Sequence, residues 1–111
     1  MSDQVLNLNH YDFDKLAPQA LRRMGKDEVF PDVTLVSREG GNIRDHKVIF
    51  ASFSKLLGHI LVNNHHTNPI IYLNNIDTST LQRLKDFIYF GCVQVPSDTV
   101  HDFVRIGGSL G

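Results

Sequence analysis

The sequence contains one cysteine and no tryptophan in 111 residues. A single cysteine excludes an internal disulfide and any zinc site that requires several cysteines. Because Cys92 lies in an apolar stretch between Gly91 and Val93, we expect a buried and unreactive thiol. No run of about 18 apolar residues is present, and residues 1–9 lack the basic and then apolar layout of a signal peptide. These absences predict an intracellular protein without a transmembrane helix.

The chain also lacks an excess of either charge. Its 11 basic and 12 acidic residues give a formal net charge of -1. Proteins that bind nucleic-acid phosphates usually carry a stripe or an excess of basic residues. The nearest basic group, Arg22-Arg23 with Lys26, is followed at once by Asp27 and Glu28. We therefore expect no direct binding of nucleic acid by this chain.

Catalytic signatures are missing as well. The sequence has no nucleophile elbow, no phosphate-binding loop and no paired carboxylates, and Gly40-Gly41 resembles a simple turn. His65 and His66 are adjacent and His59 lies nearby, but they lack the spacing and the acidic or cysteine partners of a metal site. We predict that the protein is not an enzyme and uses no metal, no cofactor and no small-molecule substrate.

What the sequence does contain is the composition of one folded domain. Hydrophobic residues make up 41% and charged residues 21%, and the length suits a single core over residues 1–111. Apolar residues from Phe13 to Met24 recur at helical spacing, and Gly25 is expected to end that helix. Pro18 predicts either a kink or a helix that begins close to it.

The middle of the chain alternates between strands and helices. Residues 32–37 and 43–45 predict two strands joined by a turn at residues 39–42. Two helical pieces follow over residues 46–62. Ser52 is expected to cap the second piece, and one apolar face is predicted to be buried: Phe53, Leu56, Leu57, Ile60 and Leu61.

The last third continues the alternation. Residues 70–73 predict a strand that is buried on both faces because it hardly alternates. Asp77 is expected to cap a helix that ends at Gly91, with Ile76 packed on Leu81 and an apolar face formed by Leu81, Leu84, Phe87 and Ile88. Val93 and Val95 predict a short strand, and Ser97 is expected to cap a final helix with Val100, Phe103, Val104 and Gly107 on one side. The element order predicts an α+β fold.

Five short segments in this order resemble the BTB/POZ domain family, and particularly the Tramtrack-like group of arthropod transcription factors. They are Phe30-Pro31-Asp32-Val33-Thr34-Leu35, Asp45-His46-Lys47-Val48-Ile49-Phe50-Ala51-Ser52, Asn68-Pro69-Ile70-Ile71-Tyr72-Leu73, Leu84-Lys85-Asp86-Phe87-Ile88-Tyr89-Phe90-Gly91 and Val93-Gln94-Val95-Pro96. The resemblance covers residues 30–106. It implies the BTB/POZ fold, a helical cluster capped by short β-sheets.

The resemblance also implies a dimer interface made largely by the first helix. The residues placed there are Leu6, Leu8, Phe13, Leu16, Ala20, Leu21 and Met24, and Val5, Leu6 and Leu8 resemble an N-terminal strand that some members exchange with a partner. Residues 1–10 are therefore an N-terminal tail or an exchanged strand. The alternative is that the helix stripe covers only its own core.

The same resemblance implies roles for two charged residues and one histidine. Asp32 and Lys47 correspond to family positions that approach each other in a charged pocket near the dimer axis. Alternatively they form a structural ion pair that binds nothing. His46 corresponds to a structural residue that packs and forms hydrogen bonds.

The sequence departs from the family pattern at both ends. The Trp-Asn-Asn stretch of the Tramtrack-like group is absent, and only Asn9-His10 is similar to it, which argues against the higher-order assembly of those members. Gly107-Gly108 replaces an Ala-Glu pair, so the end of the last helix is expected to be frayed or differently built. The resemblance also implies closing C-terminal helices, which the sequence does not reach before Gly111, so we expect either a longer natural chain or a short member of the family.

These features predict a module that forms homodimers or higher oligomers within a nuclear transcription or chromatin regulator. Other BTB proteins and co-regulators are further expected partners, and no membrane partner is expected. The alternative is a substrate adaptor for a cullin ubiquitin ligase. Such adaptors usually carry an acidic residue soon after the third helix, whereas residues 60–66 contain none.

Overall fold

The computed structural model describes residues 4–111 and confirms the α+β prediction. Its elements run in the order α1 (Phe13–Asp27), β1 (Val33–Val36), β2 (Asn42–Asp45), α2 (Lys47–Phe53), α3 (Lys55–Val62), β3 (Ile70–Tyr72), α4 (Thr78–Phe90) and α5 (Val100–Ser109). The radius of gyration is 17.1 Å, compared with about 13 Å for a compact domain of about 100 residues. The single chain is therefore more extended than a self-contained domain of its length.

The three strands form one sheet in the order β2-β1-β3. β1 pairs with β2 in antiparallel fashion and with β3 in parallel fashion. One face packs against the helices through Val33, Leu35, Ile43 and Ile71. The prediction that β3 is buried on both faces is wrong, since Ile70 and Tyr72 are exposed. β3 lies at the edge of a sheet that is covered on one face only, so its side chains alternate between core and solvent.

The helical caps explain where α3 and α4 begin and end. Ser54 caps α3 by accepting a hydrogen bond from the Leu57 N–H at 3.1 Å. The prediction that Ser52 caps this helix is wrong. Ser52 lies inside α2 and donates a hydrogen bond to the Val48 carbonyl. At α4, Asp77 accepts from the Thr80 N–H at 2.8 Å and Gly91 ends the helix in the left-handed conformation, so both predictions are confirmed.

The predicted apolar faces are only partly buried. Leu57, Leu61, Leu81 and Leu84 enter the core together with Ile76. Three other members of those faces, Phe53, Leu56 and Phe87, are exposed. Helical periodicity gives the side of a helix that carries apolar residues, but the neighbouring elements determine how much of that side is covered.

The structure corrects the predicted course of α1. Pro18 lies inside the helix, which therefore does not begin there, and the helix ends at Asp27 and not at Gly25. Glu28 adopts the left-handed conformation and donates its N–H to the Met24 carbonyl. Gly25 instead allows close packing: a Cβ added there would lie 2.6 Å from the Cβ of Tyr89 on α4.

The segment after α4 also differs from the predictions. Val93 and Val95 form no strand, because the three-stranded sheet lies elsewhere and offers them no neighbour. Cys92 is exposed and not buried, since the chain leaves the core at Gly91. No helix within residues 4–111 is long and apolar enough to cross a membrane.

α5 begins later and continues further than predicted. Its N-cap is Thr99, which makes no side-chain capping bond, so Ser97 does not cap the helix. The helix runs through Gly107-Gly108 to Ser109. Of the apolar side predicted for α5, Phe103 packs against the core, whereas Val100 and Val104 are exposed.

Candidate functional site

The candidate interaction surface is the N-terminal half of α1. Phe13 is 56% exposed and Leu16 is 44% exposed, and Ala20 is exposed beside them. No residue of α1 is fully buried. Burying apolar side chains yields about 25 cal/mol per Å² of area removed from water, so these residues are available to stabilise contact with another protein.

The C-terminal half of α1 packs differently. Leu21 and Met24 are partly buried against the core of their own chain. The two halves of the predicted stripe therefore have different environments. The first half faces solvent, and the second half covers the core, which was the alternative role for the whole stripe.

The residues before α1 form an exposed, extended segment. Val5, Leu6 and Leu8 are among the most exposed apolar side chains of the chain. Residues 4–10 adopt no strand, and residues 1–3 of the predicted tail or exchanged strand lie outside the described residues. Three exposed apolar side chains thus precede the exposed half of α1 in the chain.

An apolar groove of about 640 Å³ opens between α1 and the other helices. Leu21 lines it from α1, Phe53 from α2, Phe87 from α4 and Val104 from α5. The exposed aromatic residues of α2 and α4 therefore share a surface with the partly covered half of α1. This surface adds to the apolar area that α1 presents.

Asp32 and Lys47 are in contact, but not through their charges. The Asp32 carboxylate accepts a hydrogen bond from the backbone N–H of Lys47 at 2.7 Å. The Lys47 ammonium donates to the backbone carbonyl of His66 at 2.8 Å. Asp32 therefore acts as a cap for the first turn of α2. Among the contacts of residues 4–111, its carboxylate forms no ion pair with the Lys47 ammonium.

We expect Asp32→Ala to lower the free energy of unfolding by about 1 kcal/mol, the usual cost of losing a helix cap. Asp32→Asn retains a side-chain oxygen and is the matched control with a smaller effect. Because Lys47 binds elsewhere through its ammonium, Asp32→Ala and Lys47→Gln should be additive to within about 0.5 kcal/mol in denaturant midpoints. A coupling above about 1 kcal/mol would instead place the two charges in direct contact.

A buried charged cluster joins the end of α1 to β2 and α4. The Lys85 ammonium lies 3.1 Å from the Glu28 carboxylate, 2.9 Å from the Arg44 carbonyl oxygen and 3.6 Å from Asp45 Oδ1. Lys85 and Asp45 are buried, whereas the Glu28 side chain is about half exposed. Both carboxylate oxygens of Asp45 lack a hydrogen-bond partner within residues 4–111. The positive charge of Lys85 is therefore the main compensation for the negative charge of the buried Asp45 carboxylate.

Burial changes the acidity of two groups in this region. Burial raises the pKa of Asp45 from 3.8 to about 6, and the nearby Lys85 ammonium opposes that rise. Burial also raises the pKa of the Tyr89 phenol well above its usual range. Both side chains are buried between the sheet and α4.

His46 and Tyr89 form a second buried contact beside this cluster. The Tyr89 oxygen accepts the backbone N–H of His46 at 3.1 Å and lies 2.8 Å from the ring Nδ1. The ring Nε2 contacts the Val29 carbonyl oxygen, which can only accept, so Nε2 carries a proton. His46 thus links α4 to the segment that follows α1, in the packed and hydrogen-bonded position that the resemblance implies.

The sequence did not reveal Glu28, Lys85 and Tyr89 as a connected group. Lys85 follows Leu84 on α4, and one buried lysine on a helix gives no periodic signal. Its carboxylate partners are 57 and 40 positions earlier in the chain. Only the packing of α1, β2 and α4 brings these residues together.

No group of three or more histidine, cysteine or acidic residues within residues 4–111 is arranged to hold a metal ion. His59, His65 and His66 are exposed. The Cys92 thiol is exposed as well. Their side chains therefore lie apart from the buried polar groups of the protein.

Comparison with known proteins identifies relatives of this fold. The profile of the BTB/POZ domain family matches residues 21–111. Among Drosophila melanogaster proteins, the chain is 32% identical to the tramtrack alpha isoform and 35% identical to the sex determination protein fruitless, each over 75% of its length. It spans only 10% and 9% of those two proteins.

Two further relatives are covered almost entirely. The longitudinals lacking protein-like of Drosophila melanogaster is 29% identical over 98% of this chain and 85% of its own length. The solved BTB domain of human gigaxonin superposes with a TM-score of 0.76 and 25% identity, covering 98% of this chain and 89% of that one. These matches confirm the family resemblance seen in the sequence.

Proposed function

This chain belongs to the BTB/POZ domain family of protein–protein interaction modules, and we propose that it forms a homodimer through α1 within a transcription or chromatin regulator. The exposed apolar half of α1 is the observation that carries the proposal. A second copy would cover Phe13, Leu16 and Ala20, which otherwise remain in water.

The charge pattern supports a partner of the same kind. α1 carries charges of both signs around its apolar side, with four basic residues and two acidic ones: Lys15, Arg22, Arg23, Lys26, Asp14 and Asp27. A surface of mixed charge around an apolar centre suits an isologous contact, in which the same patch is used on both copies.

Two extended segments support an exchanged strand as part of that dimer. Residues 5–8 are exposed and apolar at three of four positions, and residues 92–95 follow α4 without a neighbouring strand. Within residues 4–111, neither segment is paired with a strand of the sheet. Pairing residues 5–8 of one copy with residues 92–95 of the other would satisfy both, which would give Val93 and Val95 the strand role that their sequence predicts.

Leu21 and Met24 contribute to the dimer in a different way. They pack on the core of their own chain and hold α1 against α4. In this proposal they position the exposed half of α1, and Asp32 and Lys47 would line a charged pocket near the dimer axis, as the family resemblance implies. Other BTB proteins and co-regulators would use the same surfaces.

The domain would assemble proteins while other segments act on nucleic acid. The chain carries a nearly balanced charge, and it spans about a tenth of the length of tramtrack and fruitless. By resemblance to such proteins, we place the function in the nucleus. The absence of an acidic residue in residues 60–66 weighs against the cullin-adaptor alternative.

We expect the wild-type chain to have the mass of at least two copies in light scattering at micromolar concentration, and Leu16→Asp to reduce it to the 12.6 kDa of one chain. A charge in an apolar contact is costly because it must be desolvated without a partner. Leu16 is a cleaner probe than Leu21, whose substitution also disturbs the core.

Leu56→Asp is the matched control. Leu56 on α3 is 43% exposed, almost the same as Leu16, but it lies outside the proposed interface. Its variant should keep the wild-type mass. A wild-type chain that remains a monomer, or an equal loss of mass in both variants, would contradict dimerisation through α1.

A further inference from the structure

A polar pocket of about 470 Å³ opens where the turn between β1 and β2 meets the start of α4 and the first part of α5. Three basic residues from these three elements line it: Arg38 from the turn, Arg83 from α4 and Arg105 from α5. We call it the arginine pocket. All three residues are arginines, whose guanidinium groups match the oxygens of carboxylates and phosphates with paired N–H donors.

Two carboxylates line the same pocket and oppose the arginine charges. Asp102 lies 3.5 Å from Arg105, and both side chains are exposed, so this ion pair contributes little. The Asp77 carboxylate accepts the Thr80 N–H and caps α4. Three guanidinium groups against two carboxylates leave the arginine pocket with an excess of positive charge.

Two of the arginines act on the same point of the pocket. Hydrogen bonds from the side chain and the backbone of Thr80 hold the pKa of Asp77 below its usual value, and the positive charges of Arg38 and Arg83 lower it further. Neither the Arg38 nor the Arg83 guanidinium takes part in an ion pair of residues 4–111. Both groups therefore retain N–H donors for an anion that enters the pocket.

We propose that the arginine pocket binds a phosphorylated serine or threonine side chain of a partner protein, with Arg38 and Arg83 as its main contacts. A phosphate monoester carries a charge of about −1.5 to −2 at neutral pH and three acceptor oxygens, so it can engage two guanidinium groups at once. An unmodified acidic side chain brings one charge and two oxygens. It would gain less from the arginines and would still be repelled by the carboxylate of Asp77.

The walls of the pocket favour a phosphorylated side chain over a nucleotide. Nucleotide bases are commonly held by stacking on an aromatic ring. Phe103 is the aromatic residue among the described lining residues, and its ring packs edge-on against Phe87 and against the core. Its face is therefore not offered to a base.

The distribution of charge favours a single phosphate group over a polyanion. A nucleic acid or an anionic membrane needs basic residues spread along a surface. Here the arginines converge on one pocket, and the formal net charge of the whole chain is -1. The volume of about 470 Å³ lies within the range of ligand sites, about 300–1,000 Å³.

This site is independent of the dimer contact proposed for α1. None of its lining residues belongs to α1 or to residues 4–10. A dimer would carry two arginine pockets, so a partner with two phosphorylated residues would bind more tightly than one with a single phosphate.

The test is an NMR chemical-shift titration with a short glycine-rich peptide that carries one phosphothreonine. We expect saturable binding of this peptide, no binding of its unphosphorylated form, and at least about tenfold weaker binding in Arg38→Gln and in Arg83→Gln, since each variant loses a charge-assisted contact. Arg44→Gln is the matched control, because Arg44 is exposed on β2 and does not line the pocket. It should bind like the wild type.

Three results would overturn the proposal: no saturable binding of the phosphopeptide, equal binding of its unphosphorylated form, or a loss in Arg44→Gln as large as in the pocket variants. Inorganic phosphate that binds as tightly as the phosphopeptide would indicate a site for a free anion and would overturn the assignment to a partner protein. Circular dichroism melting should show that Arg38→Gln, at an exposed position, folds like the wild type. The test therefore does not depend on Arg83→Gln, whose side chain is partly buried.

Discussion

Replacing Lys85 by methionine is expected to destabilise the domain by about 3–5 kcal/mol near neutral pH, because it leaves the buried Asp45 carboxylate without its counter-charge. Methionine keeps most of the apolar stem, so the loss is electrostatic and not a packing defect. Lys85 also donates to the Arg44 carbonyl and to Glu28, and these bonds are lost as well. Denaturant midpoints followed by circular dichroism would measure the change.

Two further variants identify the cause of that loss. Lys55→Met removes an exposed lysine and should change stability by no more than about 0.5 kcal/mol. Adding Asp45→Asn to Lys85→Met removes the uncompensated charge and should restore much of the stability. Equal midpoints for Lys85→Met and Lys55→Met, or no recovery in the double variant, would show that the buried pair is unimportant.

The pH dependence of the Lys85→Met variant follows from the same carboxyl group. Its pKa is 3.8 when exposed and about 6 in the folded protein. The folded state therefore holds the proton more tightly, and the contribution of Asp45 to stability is greatest below 3.8 and declines as pH rises toward about 6. Lys85→Met removes the charge that lowers this pKa, so the defect should be smaller near pH 5 than near pH 7. A defect independent of pH would contradict this account.

The same substitution of glycine by alanine should have opposite effects at two helical positions. Gly25→Ala is expected to destabilise the protein by about 1–3 kcal/mol, since the new Cβ would lie 2.6 Å from Tyr89 Cβ and would push α1 away from α4. Gly108→Ala meets open space in α5 and should stabilise the protein by about 0.5–1 kcal/mol through its higher helix propensity.

Thermal and chemical unfolding of both variants would test this prediction. Because α1 carries the proposed dimer surface, light scattering of Gly25→Ala should also show a lower mass at low protein concentration. The close approach of α1 to α4 would be refuted if both alanine variants were stabilised alike. In that case Gly25 would serve only as an ordinary helical residue.

Local sequence signals predicted the elements where neighbouring residues alone decide the outcome. Asp77 caps α4 and Gly91 ends it because capping depends on the few adjacent backbone groups. The prediction that Gly25 ends α1 was wrong because it used the same kind of local signal, and a glycine could end a helix at either position. The structure uses its small size for contact with Tyr89, 64 positions later in the chain.

The charged residues show the same difference between what local sequence predicts and what long-range packing decides. The family resemblance implied that Asp32 and Lys47 approach each other, and they do meet, but through the backbone N–H of Lys47. The burial of Asp45 beside Lys85 had no local signal. Which charges pair in a core depends on the approach of distant elements, so pairs of this kind are not encoded in any short stretch.

By itself, the sequence determined the α+β class, the BTB/POZ family, most element positions and the apolar character of α1. Hydrophobic periodicity and short motifs carry that information because each depends on residues close together in the chain. Only the tertiary structure decided that α1 divides into an exposed half at Phe13 and Leu16 and a covered half at Leu21 and Met24. It also placed β3 at an open sheet edge. Exposure depends on which elements pack against a surface, and that packing is a property of the whole chain.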